Sequence, residues 1–280
     1  MKRILLPTDF SEISRNAINY ALSLFSGQPC EFFVLHVYSV PFMTNEELME
    51  NDAQQLAFVE TELYESSQKM LKELVAGLKK EKDHRFHVIS DYNFFINSVK
   101  QCIEEKMIDL IVMGTKGATG AKEIFLGSNT GDVIMKTDCN VIAVPEELKF
   151  AAPREIVFPT DYKLKYELDD LYPLIDIAEK FGSNLRILHF SDQGQLDAGQ
   201  EGNKKMLDSY FSKVNHTYHT LTNTDFEEAL NCFTQSRGDI DMIAIISGHY
   251  NFFQRLFFRP KVMELSFHTK IPLFVLHHLE

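Results

Sequence analysis

At 280 residues the chain is long enough for one large domain or two ordinary ones, and its 45% apolar content fits a globular protein with a substantial core. A formal charge of −12 sets its surface against nucleic acid phosphates and anionic membranes, so neither is expected as a partner. The four cysteines, Cys30, Cys102, Cys139 and Cys232, form no CxxC pair and read as reduced thiols of a cytoplasmic protein, and no apolar stretch nears the roughly 20 residues that span a bilayer.

The apolar pattern alternates between strands and helices. A strand at 3–7 leads to a helix at about 11–26, where Ile13, Ala17, Ile18, Ala21 and Leu22 recur at helical spacing behind Ser11 as N-cap. A strand at 31–37 follows. Next comes a helical stretch at 44–80, opened by Thr44 with Glu47 three residues on, the pattern of a capping box. A strand at 84–90, a helix at 93–106 and a strand at 108–113 precede a glycine-rich loop. A helix at 128–137 and a strand at 140–144 end the first half. Continuous apolar runs such as "LIVM" and "VIAV" fit strands covered on both faces, and the alternation implies a parallel sheet with right-handed crossovers.

The second half repeats the first. "RILLPTDFS" from Arg3 matches "EIVFPTDYK" from Glu155, and "FFVLHVYS" matches "LRILHFSD", with His36 and His189 in step. "DLIVMG" matches "DMIAIISG", and "NVIAVP" matches "IPLFVLH". The chain therefore reads as a duplication, with one domain at 1–148 and another at 149–278, joined near 145–155. In the second copy, 193–205 reads as a polar, mobile loop, and the long helix shortens to about 203–214. Leu279 and Glu280 read as a vector-derived scar.

The stretch "MGTKGATGAKEIFLGSNT" (113–130) stands where doubly wound sheets bind ligands, beyond the C-terminal end of a strand. Gly127 and Ser128 open the next helix, whose amides and positive dipole end suit a phosphate, and the Ser128 and Thr130 hydroxyls add donors. Lys116 and Lys122 offer charge or face solvent. The loop is neither a Walker motif nor a GxGxxG fingerprint. On spacing alone, a phosphate cradle and a long surface turn both stand.

The pattern Gly114-x2-Gly117-x9-Gly127-Ser128, together with "ILLPTDFS" and "LHV", resembles the nucleotide-binding pattern of the universal stress protein family (UspA-like), and both halves carry the likeness, as in a tandem member. The resemblance implies an α/β fold of two tandem doubly wound domains, each a five-stranded parallel sheet in the order 3-2-1-4-5 between helices. It implies ATP as the ligand, and Mg²⁺ bridging the phosphates goes with the slow-ATPase alternative below. Gly114, Gly117, Gly127, Ser128 and Thr130 would hold ribose and phosphates. Pro7, Thr8 and Asp9 would line the adenine–ribose end, Val37 would contact adenine, and Met113 would flank it. Asp9 also fits a helix N-cap, and Val37 and Met113 also fit plain core.

The second copy departs from this pattern. Arg259 falls at the Gly127 position, Pro260 at Ser128, Val262 at Thr130 and Asn251 at Gly117, with only Gly248 near Gly114. Proline lacks the N–H that such a cradle needs, so one nucleotide per chain is expected, in the N-terminal half. Phe252, Phe253, Phe257 and Phe258 read as packing. The pairs His216/His219 and His84/His87 sit in strands with poor metal-ligand geometry, so no metal site is expected. The expected role is a stress-response or signalling module without catalytic residues. A slow Mg-dependent ATPase and a nucleotide-free scaffold remain as alternatives. The family's dimerisation through the last strand implies that the two halves pair within one chain as a pseudo-dimer. A homo-oligomer and an unknown protein partner stay open.

Overall fold

The computed structural model describes residues 1–38, 53–115, 128–191, 195–224, 226–247 and 271–277. The chain divides into two compact units, Met1–Met113 and Gly114–Glu280. Both are built from mostly parallel β-strands alternating with α-helices, a doubly wound α/β fold.

In the first unit, β1 (Lys2–Pro7) carries Ile4, Leu5 and Leu6 with no exposed surface, as expected of a strand covered on both faces. Helix α1 (Glu12–Leu24) is capped by Ser11, whose hydroxyl accepts from the Ser14 amide at 3.2 Å. It buries Ala17, Ile18, Ala21 and Leu24. Then come β2 (Cys30–Tyr38), α2 (Ala53–Ala76), β3 (His84–Tyr92), α3 (Phe95–Lys106) and β4 (Leu110–Thr115). The Thr44 and Glu47 capping box lies outside the described residues. Helix α3 ends on Met107 in the left-handed conformation, and the Ile108 amide closes back on the Ile103 carbonyl at 3.1 Å. The strand order is β3-β2-β1-β4, all parallel, with Lys2 opposite Cys30, Ile4 opposite Leu110 and Cys30 opposite His84.

The second unit holds α4 (Ser128–Lys136), β5 (Asn140–Pro145), β6 (Glu155–Thr160), α5 (Leu168–Phe181), β7 (Asn184–Ser191), α6 (Ala198–Tyr210), β8 (Asn215–Thr222), α7 (Phe226–Ser236), β9 (Met242–Ile246) and β10 (Leu273–Leu276). Its order is β5-β10-β9-β6-β7-β8. The five strands β10-β9-β6-β7-β8 run parallel in the predicted 3-2-1-4-5 sequence, and β5 joins them antiparallel, with Leu273 opposite Ala143. The last strands of the two repeats therefore pair with each other. The compact division falls ahead of the sequence join because β5 takes its partner from the second repeat.

The duplication is visible down to single hydrogen bonds. Asp109 Oδ2 accepts from the Arg3 amide at 2.8 Å before β4. Asp241 Oδ2 accepts from the Arg154 and Glu155 amides at 2.9 and 3.0 Å before β9. One expectation fails: 193–205 is not a loop throughout, since α6 starts at Ala198, and it ends at Tyr210 rather than near 214. Its start is fixed by a capping box between Asp197 and Gln200, which outweighs the glycines in its first two turns.

Candidate functional site

The chain leaves β1 through a tight polar turn. Pro7 and Thr8 are buried, and the Thr8 amide donates to the Leu35 carbonyl of β2 at 2.8 Å. Thr8 Oγ1 accepts from the Phe10 amide at 3.0 Å and shares a 3.0 Å hydrogen bond with Ser14 Oγ. Ser11 donates to Asp9 Oδ1 from its hydroxyl at 2.6 Å and its amide at 3.1 Å. Short polar side chains thus satisfy the turn's backbone donors. They hold Phe10 at a φ of 63°, a left-handed conformation that costs a non-glycine residue about 1–2 kcal/mol.

Asp9 is exposed at the tip of this turn. Partial desolvation raises its carboxyl, but the hydrogen bonds from Ser11 and Ser14 outweigh that and hold it below the ordinary aspartate value. It is therefore a carboxylate at neutral pH, and Ser11 occupies only Oδ1. Continuing the β1–β2 register past Pro7 and Leu35 sets Asp9 level with Val37, which is half-buried. Continuing the pairing of Leu5 with Ile111 sets buried Met113 level with Pro7. Pro7, Thr8, Asp9, Val37 and Met113 thus gather at the C-terminal ends of β1, β2 and β4. There β1 lies between β2 and β4, the point where strand order reverses.

Four residues that the sequence did not single out for the site, Phe10, His36, Ser67 and Ser90, are linked to one another next to this turn. The Phe10 ring packs on His36 with centroids 4.5 Å apart. His36 Nδ1 lies 2.8 Å from Ser67 Oγ of α2, and Ser90 Oγ of β3 donates to Ser67 Oγ. Burial lowers the His36 pKa, and the Asp9 charge opposes that shift. The matching places of His36 and His189 in the two repeats were the available signal.

In the second unit, Thr130 is buried and its hydroxyl donates to the Gly114 carbonyl at 3.1 Å, tying the first turn of α4 to the end of β4. Thr115 Oγ1 donates to the Val144 carbonyl at 3.5 Å. Ser128 and Asn129 are exposed in the same first turn. Gly117, Gly127, Lys116 and Lys122 lie outside the described residues, as do Gly248, Asn251, Arg259, Pro260, Val262 and the four phenylalanines of the second loop. The second turn copies the first: the Tyr162 amide donates to Thr160 Oγ1 at 2.8 Å, and Tyr162 has a φ of 58°. Here the turn is covered. Gln200 and Asn203 of α6 donate to the Asp161 and Tyr162 carbonyls, each at 2.7 Å. Among the described residues, no three or more His, Cys, Asp or Glu side chains cluster as metal ligands, and no helix is long and apolar enough to cross a membrane.

The profile of the universal stress protein family matches residues 1–145. Universal stress protein MJ0531 of Methanocaldococcus jannaschii is 32% identical over 149 residues, covering 53% of this chain and 84% of that protein. Universal stress protein MJ0577 of the same organism is 29% identical over 157 residues, covering 51% and 94%. Among solved structures, a universal stress protein from Archaeoglobus fulgidus superposes with a TM-score of 0.67 at 17% identity, covering 98% of each chain, which shows a common fold across both halves.

Proposed function

The chain belongs to the universal stress protein family, and on that premise we propose that it is an ATP-binding stress-response or signalling module of the cytoplasm, with one nucleotide site, in its N-terminal half. The observation that carries this reading is the turn after β1. It spends several hydrogen bonds and a left-handed phenylalanine to present one ionised, exposed carboxylate, Asp9, level with Val37 at the strand-order reversal. A carboxylate there accepts from an amino group or a ribose hydroxyl. The residues described near the loop also fit a phosphate. Helix α4 offers exposed Ser128 and Asn129 in its first turn, where amides and the dipole favour an anion. Thr130 is already spent on Gly114, so its part is to hold α4 against β4, while Ser128 and the amides meet the phosphates. Mg²⁺ bridging the phosphates would neutralise charge in an acidic protein.

The test is nucleotide extraction from the purified chain followed by calorimetric titration with ATP. The expected result is one site per chain, weakened at least tenfold by Asp9→Ala and abolished by Gly127→Arg. Two equivalent sites, or affinity unchanged in Gly127→Arg, would overturn the reading. Single-turnover hydrolysis lost in the same variants would favour a slow ATPase instead.

A further inference from the structure

Helix α6 is held over the second turn by polar pins more than by packing. Of its own residues only Leu207 is buried, with Phe211 just past its end, whereas α5 buries six. Near its start, Gln200 and Asn203 donate to the Asp161 and Tyr162 carbonyls at 2.7 Å. At its other end, Asp208 Oδ1 meets two side chains of β8. His216 Nε2 lies 3.0 Å away, and Tyr218 donates its hydroxyl at 3.1 Å.

The acceptors around His216 fix its protonation. Nδ1 lies 2.9 Å from the Val214 carbonyl, and a carbonyl only accepts, so Nδ1 carries a proton. Asp208 is exposed, and the hydrogen bonds from His216 and Tyr218 hold its carboxyl below the ordinary aspartate value. It too only accepts, so Nε2 carries a proton as well, and the folded chain holds His216 as an imidazolium. Burial lowers its pKa, but the bonds to Val214 and Asp208 and the Asp208 charge outweigh that and raise it. Lys204, one turn before Asp208, places Nζ 4.9 Å from the Tyr218 ring centroid. Burial pushes the Tyr218 hydroxyl well above its ordinary value, so it stays a donor. On β7, Arg186 turns to the opposite face of the sheet, where it donates to Thr217. Burial lowers the pKa of His189, His219 and His277, the other described histidines of this unit, so among these four His216 alone titrates above 6.5.

We propose that Asp208 and His216 form a latch that keeps α6 strapped over the turn after β6 while His216 carries both ring protons, and that loosens the strap when one is lost. A neutral imidazole has one N–H for two acceptors, so either the carbonyl or the carboxylate is left facing a lone pair. The folded pKa lies above the 6.5 of an ordinary imidazole, so the folded state binds more protons in that window. The latch's contribution is therefore full below pH 6.5 and is lost as pH rises through the folded value. With so little apolar burial, α6 depends on its pins. Loss of one loosens its cover of the Asp161 and Tyr162 carbonyls.

The test joins two measurements on the full chain: NMR titration of the His216 ring, and amide exchange of α6 corrected for the intrinsic effect of pH. The ring should titrate above 6.5 in the wild type and lower in Asp208→Asn, which keeps the shape and removes the charge. Between pH 6 and pH 8.5, wild-type protection in the last turn of α6 should fall about three- to tenfold, the range of one hydrogen bond, while α5 stays level. Asp208→Asn should start at the lower protection and hardly change. A wild-type ring that titrates at or below 6.5 would overturn the latch. So would wild-type α6 protection that does not respond to pH, or a response of the same size in Asp208→Asn.

Discussion

His277 shows how one buried side chain sets a pH limit. It follows β10, is 7% exposed, and its amide donates to Asn140 Oδ1 at 2.9 Å while its Nε2 has no partner. Burial pushes its pKa down from 6.5 to about 4, against a smaller opposing pull from Asp138. In the unfolded chain the imidazole takes up its proton near pH 6.5, but the folded protein resists until about 4. Between those values the unfolded state binds more protons, so this contribution is full above pH 6.5 and is lost as pH falls through the window. The effect is on the order of 2–3 kcal/mol. Urea unfolding at pH 7 and pH 4.5 should show a fall in stability that is smaller by about that amount in His277→Leu. An equal fall in both proteins would exclude His277 as the cause. At this scale the sequence is uneven. Asp9 was reached through the family resemblance carried by "PTD", and the serine that holds it, Ser11, is its near neighbour in sequence. The Ser67–Ser90–His36 relay stayed hidden, because the phase of α2 against β2 and β3 decides which serine meets the ring.

Among the elements, α6 shows what local pattern misses and why. Its opening residues, "DAGQEGN", carry two glycines and no apolar periodicity, so nothing marks a helix except the Asp197–Gln200 spacing. The structure gives Gln200 two tasks. Its Oε1 accepts from the Asp197 amide at 2.9 Å, and its Nε2 donates to the Asp161 carbonyl at 2.7 Å. The side chain that starts the helix therefore also ties it over the second turn. Gln200→Ala should cost about 1–2 kcal/mol, and amide exchange should accelerate in the first turn of α6 more than in α5. Uniform exchange across both helices would show that the tether contributes nothing local. The strands were more legible. Runs such as Ile4–Leu6 and Leu110–Met113 are apolar on both faces, and β1 and β4 fall within about a residue or two of where those runs lie.

At the scale of the molecule, the internal repeat announced two like units, since four matched apolar runs recur in the same sequence, while the strand order 3-2-1-4-5 came from the family resemblance. The compact division was not legible, because pattern within one repeat does not say where its last strand finds a partner. β5 pairs antiparallel with β10, so neither strand is left as an edge at that side. Residues 1–148 expressed alone keep β5 and lose β10. That fragment should associate through β5 into a homodimer in sedimentation equilibrium, and Val141→Pro, which puts a proline in the paired strand, should return it to a monomer. A monomeric fragment with native circular dichroism would show that the edge is tolerated.

The placement of β10 also sets an order of events. Only four residues long, Leu273–Leu276 lies between β5 and β9, yet it is the last of the ten described strands to leave the ribosome. Contacts this distant in sequence form slowly, because the intervening chain must be closed into a loop first. Until those residues are made, the edge of β5 that β10 will cover stays open, and polysomes crowd many such chains together. Cotranslational mispairing between neighbouring nascent chains is thus the hazard this architecture carries, and the long interval before Leu273 appears is when a chaperone has most to protect.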